Sequence, residues 1–390
     1  MIITLYISVS VLIITSGNII IHNKGFVGVN YEKLYGTFRI DIQIGNSKQD
    51  ISLCLDMCNN FTWISYYLYK RHLSSSFEII NNETQFSLLN ETIPSYLSKE
   101  SLEVHSNTNT PIIINDFLFY YPKINVPDYA GIDSIGLGCY FNNTKYSFVH
   151  LLYEHGVIKY KSFMFVPMTF NKGSIYFGKV TSDVVNKAFV YEINIHDHMS
   201  NKWNVGFEGV EHDGRIAYQK KENVYFDCKE DFILAPMDYF TYVNNTVFKV
   251  LIHKGICNVS YNTNMNSVFY YCKCEEIKEE GDVVFMFGNV GVVVKFMELF
   301  EREYDMCYYL IKNNHKDDKW VFGNTFLSLF PIEFDYEKKK VLIYSDKEFK
   351  ERSGLYNNGN IGKWYVGLFM VCVVGTFYAI YVMFKVKRVF

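Results

Sequence analysis

Two aspartates stand in matching surroundings. Asp56 ends the apolar run "LCLDMC" and Asp227 ends "VYFDCK", and a turn follows each. A lone carboxylate in a buried strand is costly unless it is paired, hydrogen-bonded or protonated. Its recurrence at the same place in two apolar runs points to a use. Downstream of each lies an apolar segment containing Gly, "DSIGLGCYF" (133–141) and "WVFGNTFLSLF" (320–330). The echo describes two copies of one β unit, each offering an Asp at a strand end. Two carboxylates about 3 Å apart do not both ionise easily, so they share a proton. One then acts as general base on a water and the other as general acid, a chemistry that needs no cofactor.

Other chemistries find less support. The chain has 9 Cys, of which Cys372 lies in a C-terminal apolar run. Cys257, Cys272, Cys274 and Cys307 cluster in the second half, so one or two bridges are expected there. Cys54, Cys58, Cys139 and Cys228 are less easily matched. A bridge between Cys58 and Cys228, one from Cys54 or Cys58 to Cys139, and reduced buried thiols are all open. C-x-C at 272–274 lacks company at zinc-ligand spacing, so no metal site is expected. No Cys has the His and Asn/Asp set of a cysteine nucleophile. A net charge of −3 gives no case for a nucleic-acid surface.

The elements that must position the aspartates are strands. Of the 390 residues, 49% are apolar and 18% aromatic, enough for a sizeable core. "GTFRIDIQIG", "QDISLCLDM", "SFMFVPMTF", "GSIYFGKV", "AFVYEINIH" and "GDVVFMFGNVGVVV" are alternating or short apolar runs, broken by Gly, Asn, Asp and Pro. Helices are expected only at 146–155 and 296–303.

Both ends read as targeting segments. Residues 2–14 are almost wholly apolar and small residues follow, so 1–17 is expected to be a signal peptide. Residues 364–384 are uncharged and long enough for a ~30 Å hydrocarbon core. Trp364 and Tyr365 flank one side, and Lys385, Lys387 and Arg388 the other. The positive-inside bias therefore puts the tail 385–390 in the cytosol after a linker at 351–363. Sequons at Asn60, Asn82, Asn90, Asn142, Asn244 and Asn258 agree with a lumenal or extracellular ectodomain.

These residues resemble the pepsin family of aspartic proteases. The family's first motif, G-T-P-x-Q-x(6)-D-T-G-S-x-x-x-W, is met in 45–64 at Gly45, Gln49, Asp56 and Trp63. Its second, D-T-G-[TS]-S-x-x-x-x-P, is met in 227–236 at Asp227 and Pro236. "WVFGNTFLSLFPIEFD" (320–335) resembles the late W-x-[LI]-G-D-x-F segment. "GSIYFGKVTSD" (173–183) resembles the strand closing the first lobe, and "DYAGIDSIGLG" the family's D-G-[IV]-[LI]-G-L-G. The resemblance spans about 31–345. It implies a mainly β, bilobal fold of two pseudo-symmetric lobes, 18–185 and 186–350, which the span at 364–384 follows as the expected transmembrane helix. It further implies a dyad of Asp56 and Asp227, a peptide in the interlobe cleft, a monomer, and a late disulfide from Cys272 or Cys274 to Cys307.

The motif interiors depart from the family. Thr, whose hydroxyls brace the two loops, is replaced by Met57 and Cys228. Gly, which permits the tight turn, is replaced by Cys58 and Lys229, and Ser by Asn59. Lys229 is expected to hold Asp227 ionised. The family's flap hairpin falls in "FSLLNETIPS" (86–95), which has no Gly; Leu88 lies near the flap Tyr position and Asn90 is a sequon. Three readings follow. The first is a non-catalytic homologue with a retained peptide or partner cleft. The second is an active endopeptidase using Asp56, Asp227 and a water. The third is a structural ectodomain.

Overall fold

The computed structural model describes residues 26–349, apart from 35, 89–90, 108–110, 124–132, 140–146, 181–184, 186, 197–199, 263–266, 278–280 and 316. The expected signal peptide, the span at 364–384, and the sequons Asn90 and Asn142 lie outside the described residues. Among those described, no helix is long and apolar enough to cross a membrane.

The first half is built from strands β1 (Val27–Leu34), β2 (Thr37–Ile44), β3 (Gln49–Asp56), β4 (Glu78–Leu88), β5 (Glu91–His105), β6 (Pro111–Pro122), β7 (Ser134–Gly136), β8 (Ser162–Pro167) and β9 (Lys172–Phe177). The alternation in β2 decides its faces: Phe38, Ile40, Ile42 and Ile44 are buried, while the residues between them reach the surface. β4 and β5 form the hairpin expected at 86–95, with Leu88 opposite Glu91.

The second half carries β10 (Phe189–Asn194), β11 (Asn204–His212), β12 (Arg215–Phe226), β13 (Ile233–Ala235), β14 (Cys257–Asn262), β15 (Ser267–Lys273), β16 (Asp282–Phe287), β17 (Val290–Lys295), β18 (Phe300–Glu303), β19 (Met306–Tyr309), β20 (Ile311–Asn313), β21 (Val321–Phe322), β22 (Ile332–Asp335) and β23 (Lys340–Ser345). The order β10–β23–β22–β8–β9–β1 runs from one half into the other, so a shared sheet joins them. Phe163 stacks on Phe334 at 4.9 Å across it.

The two-fold echo in the sequence is a pair of parallel crossings. β3 pairs β7 in parallel, Asp56 opposite Gly136, and β12 pairs β21 in parallel, Phe226 opposite Phe322. In each, the downstream glycine segment lies beside the strand that delivers the aspartate.

Helix Phe148–Glu154 forms as expected, capped by Ser147. The helix expected at 296–303 does not. Phe296–Leu299 is a 3-10 turn, and 300–303 turns at Tyr304 to pair with β19. A helical segment at 237–253 forms instead, with a π-turn at Asn244–Phe248. Its aromatic and β-branched residues resemble a strand, but Pro236 at the N-cap starts it.

Cys257 bridges Cys272, and Cys274 bridges Cys307. Neither bridge considered for Cys54, Cys58, Cys139 and Cys228 is present; all four lie outside disulfides. Buried Cys54 Sγ instead accepts a hydrogen bond from Arg39 at 2.8 Å.

Candidate functional site

The residues framing Asp56 fix its loop. Gly45 has φ +80, a conformation other residues adopt with strain. The Gln49 amide donates to Lys70 O and accepts from Lys70 N, tying β3 to the next loop. Trp63 N donates to Ser134 O, closing the loop onto β7. A Cβ on Gly136 would stand 2.3 Å from Phe61 N, so only glycine lets the two chains meet there.

The second loop repeats the construction. Asp227 N donates to Phe322 O, and Asn324 N to Glu230 O. A Cβ on Gly323 would come within 2.2 Å of Phe232 O. Asn324 Nδ2 also donates to Gly36 O, a link to the first half of the chain.

Asp56 is buried. Its Oδ1 accepts from Cys58 N at 2.9 Å and Asn59 N at 3.1 Å. Its Oδ2 accepts from Asn59 Nδ2 at 2.7 Å, Ser134 Oγ at 3.5 Å and Lys229 Nζ at 2.5 Å. Asn59 thus retains a polar contact to the aspartate.

Lys229 overturns one expectation. Its ammonium reaches from the second loop to Asp56 rather than holding Asp227 ionised. Burial works to raise the Asp56 carboxyl, but the Lys229 charge and the hydrogen bonds of Lys229, Asn59 and Cys58 outweigh it and hold the pKa down. Burial also disfavours the Lys229 cation, and attraction to Asp56 more than restores it. Asp227 goes the other way. Burial raises its pKa and repulsion from Asp56 adds to the rise, although its Oδ1 accepts from Lys229 N at 2.9 Å. The two pKa shifts are opposite in direction, Asp56 down and Asp227 up.

The Thr brace survives in part. Cys228 Sγ donates to Leu55 O at 3.0 Å, crossing between the loops. Met57 contributes only a buried apolar side chain. Burial, followed by the nearby Asp227 and Asp56 charges, pushes the Cys58 and Cys228 thiols well up, so neither is an activated nucleophile. Lys202 and Tyr225 were not visible in the motifs. Lys202 Nζ stacks over the Tyr225 ring at 3.6 Å, and both act electrostatically on this site.

The sequons divide. Asn60 is buried and Asn244 Oδ1 accepts from Tyr270 OH, whereas Asn82 and Asn258 are exposed.

A family model described as eukaryotic aspartyl protease matches residues 37–345. Solved structures share the architecture at low identity. Basic 7S globulin from soybean aligns at 12% identity with a TM-score of 0.65, covering 82% of this chain and 95% of its own. The protein edgp aligns at 11% and 0.66, covering 83% and 95%. The aspartic proteinase from Irpex lacteus aligns at 12% and 0.63, covering 85% and 100%. No curated protein sequence matches the chain.

Proposed function

The chain belongs to the eukaryotic aspartyl protease family, and from that premise we propose that it is a pseudoprotease: a monomeric, membrane-anchored ectodomain whose interlobe cleft holds an extended peptide without cleaving it. The Lys229–Asp56 ion pair carries this reading. A hydrolytic dyad needs one carboxylate free to draw a proton from water. The donors to Asp56, Lys229 above all, stabilise its anion, and Lys229 takes the Oδ2 position that a nucleophilic water would need. The basicity that would activate a nucleophile is spent on the lysine.

The apolar segments 1–17 and 364–384 support a reading as a type I membrane protein of the secretory route. The two disulfides support an oxidising compartment. The exposed sequons Asn82 and Asn258 are the ones expected to carry glycans.

A second reading rests on one observation. The Asp56 pKa is lowered and the Asp227 pKa raised, the kind of separation that suits an acid–base pair. In that reading Lys229 swings aside and the protein is an endopeptidase.

One experiment separates them. Full-length protein from a eukaryotic secretory host is incubated with a peptide library between about pH 3 and 7, the range in which aspartic dyads titrate. Intact peptides, with retained binding of a statine-type transition-state mimic, are expected. Cleavage that disappears in Asp227→Ala overturns the pseudoprotease, and absence of both cleavage and binding leaves a structural ectodomain.

A further inference from the structure

A second cavity lies in the C-terminal half and uses no residue of either aspartate loop. It measures about 520 Å³, within the usual size of a small-molecule site. Its apolar wall comes from the helical segment and the chain around it, through Val247, Val250, Leu251, Ile256, Ile277 and Phe296. Thr246 and Val247 belong to the π-turn, an irregularity that gathers at functional sites.

The charges at the cavity are not balanced in use. Asp213 keeps its negative charge: Oδ2 lies 3.4 Å from His212 Nδ1, on an imidazole whose pKa burial lowers, and Oδ1 accepts from the neutral Asp282 N–H. Glu276 is paired with Lys273 at 3.0 Å. Arg215 and Lys254 are exposed, and among the described residues neither has an ion pair or side-chain hydrogen bond. With Glu276 held by Lys273, the two cations Arg215 and Lys254 outnumber the one remaining carboxylate, Asp213.

A residue of the cavity lining carries a buried polar atom. His212 is 7% exposed, packs edge-on to Phe296 at 5.0 Å, and has an Nε2 with no hydrogen-bond partner. A buried unsatisfied acceptor or donor is a cost that a polar ligand atom or water recovers.

We infer that this cavity binds a small amphiphilic anion, an aryl or acyl carboxylate. Its apolar body covers Val250, Leu251 and Phe296, and its carboxylate meets Arg215 and Lys254. Two cations beside an apolar wall fit that chemistry and disfavour a cationic ligand. The site is independent of the cleft, and a peptide there leaves it free.

The test uses the full chain in lipid nanodiscs, titrated calorimetrically with 4-phenylbutyrate, 4-phenylbutanol and 4-phenylbutylammonium. The carboxylate is expected to bind tightest. The double variant Arg215→Ala/Lys254→Ala, two exposed side chains without partners, is expected to lose about tenfold in carboxylate affinity while alcohol affinity is unchanged. His212→Phe, which removes no partner of the probes' polar heads, is expected to leave the order of the three probes unchanged. Equal binding of all three probes, preference for the ammonium, no binding of any probe, or an unchanged double variant each overturns the inference. Displacement of the carboxylate by a statine-type cleft ligand does so too, because it would place the probe in the interlobe cleft.

Discussion

Lys229 gives the buried Asp56 carboxylate a counter-ion, and the pairing has a pH signature. The folded-state pKa of Asp56 lies below its ordinary value of 3.8. Its stabilisation is thus present above that value and is lost as pH falls through the lower, folded one. Lys229→Met leaves a buried carboxylate without its cation. The expected cost is about 3 kcal/mol at neutral pH, shrinking below about pH 4 as protonation relieves the charge. Urea denaturation across that range measures it, and a loss independent of pH would refute the assignment. Asp227 has the opposite sign. Its raised pKa gives stability that is full below the unfolded value and lost as pH rises through the folded one. Asp227→Asn is therefore expected to stabilise the protein near neutrality, read as a higher urea midpoint than the parent's.

The crossings that present the two aspartates depend on glycine more than on the aspartates themselves. Gly323→Ala puts a methyl 2.2 Å from Phe232 O and close to Glu230 O, both backbone atoms that cannot swing away. A loss of about 3 kcal/mol is expected, with the tryptophan emission of the folded state altered through Trp320; a neutral substitution would mean the crossing is looser than described. This layer was legible in the sequence. Gly45, Gln49, Trp63, Pro236 and the glycine segments act over short stretches, so their spacing survives as pattern. Other elements were not legible. The segment 237–253 carries strand-like residues and becomes helical because tertiary packing buries Tyr239, Phe240 and Phe248. The stretch 300–303 becomes a strand through pairing with β19, a partner that local propensity does not name. Lys229 sits two residues from Asp227, and sequence proximity suggested that pairing; its long side chain reaches the other loop instead. The pairing of four clustered cysteines was likewise fixed by strand register, with Cys257 opposite Cys272. Cys257→Ser/Cys272→Ser is expected to cost about 3 kcal/mol for a separation of 15 residues, checked by the shift in urea midpoint.

The halves of the molecule share a sheet and are pinned again at its centre. One cooperative calorimetric transition is therefore expected from the described residues, and two separable transitions would contradict a jointly held core. At the centre, Lys229 and Cys228 of one loop each bond to the other, to Asp56 and Leu55. The consequence concerns the order in which substitutions can be made. Replacing Lys229 by glycine first strands the Asp56 charge, and replacing Asp56 first strands the lysine. Restoring Thr and Gly at 57 and 58 changes the turn while the lysine still occupies the carboxylate. Single replacement of either partner of the ion pair is therefore expected to cost stability, while replacing both together avoids a stranded charge. Lys229 and Asp56 are thus expected to tolerate substitution only as a pair.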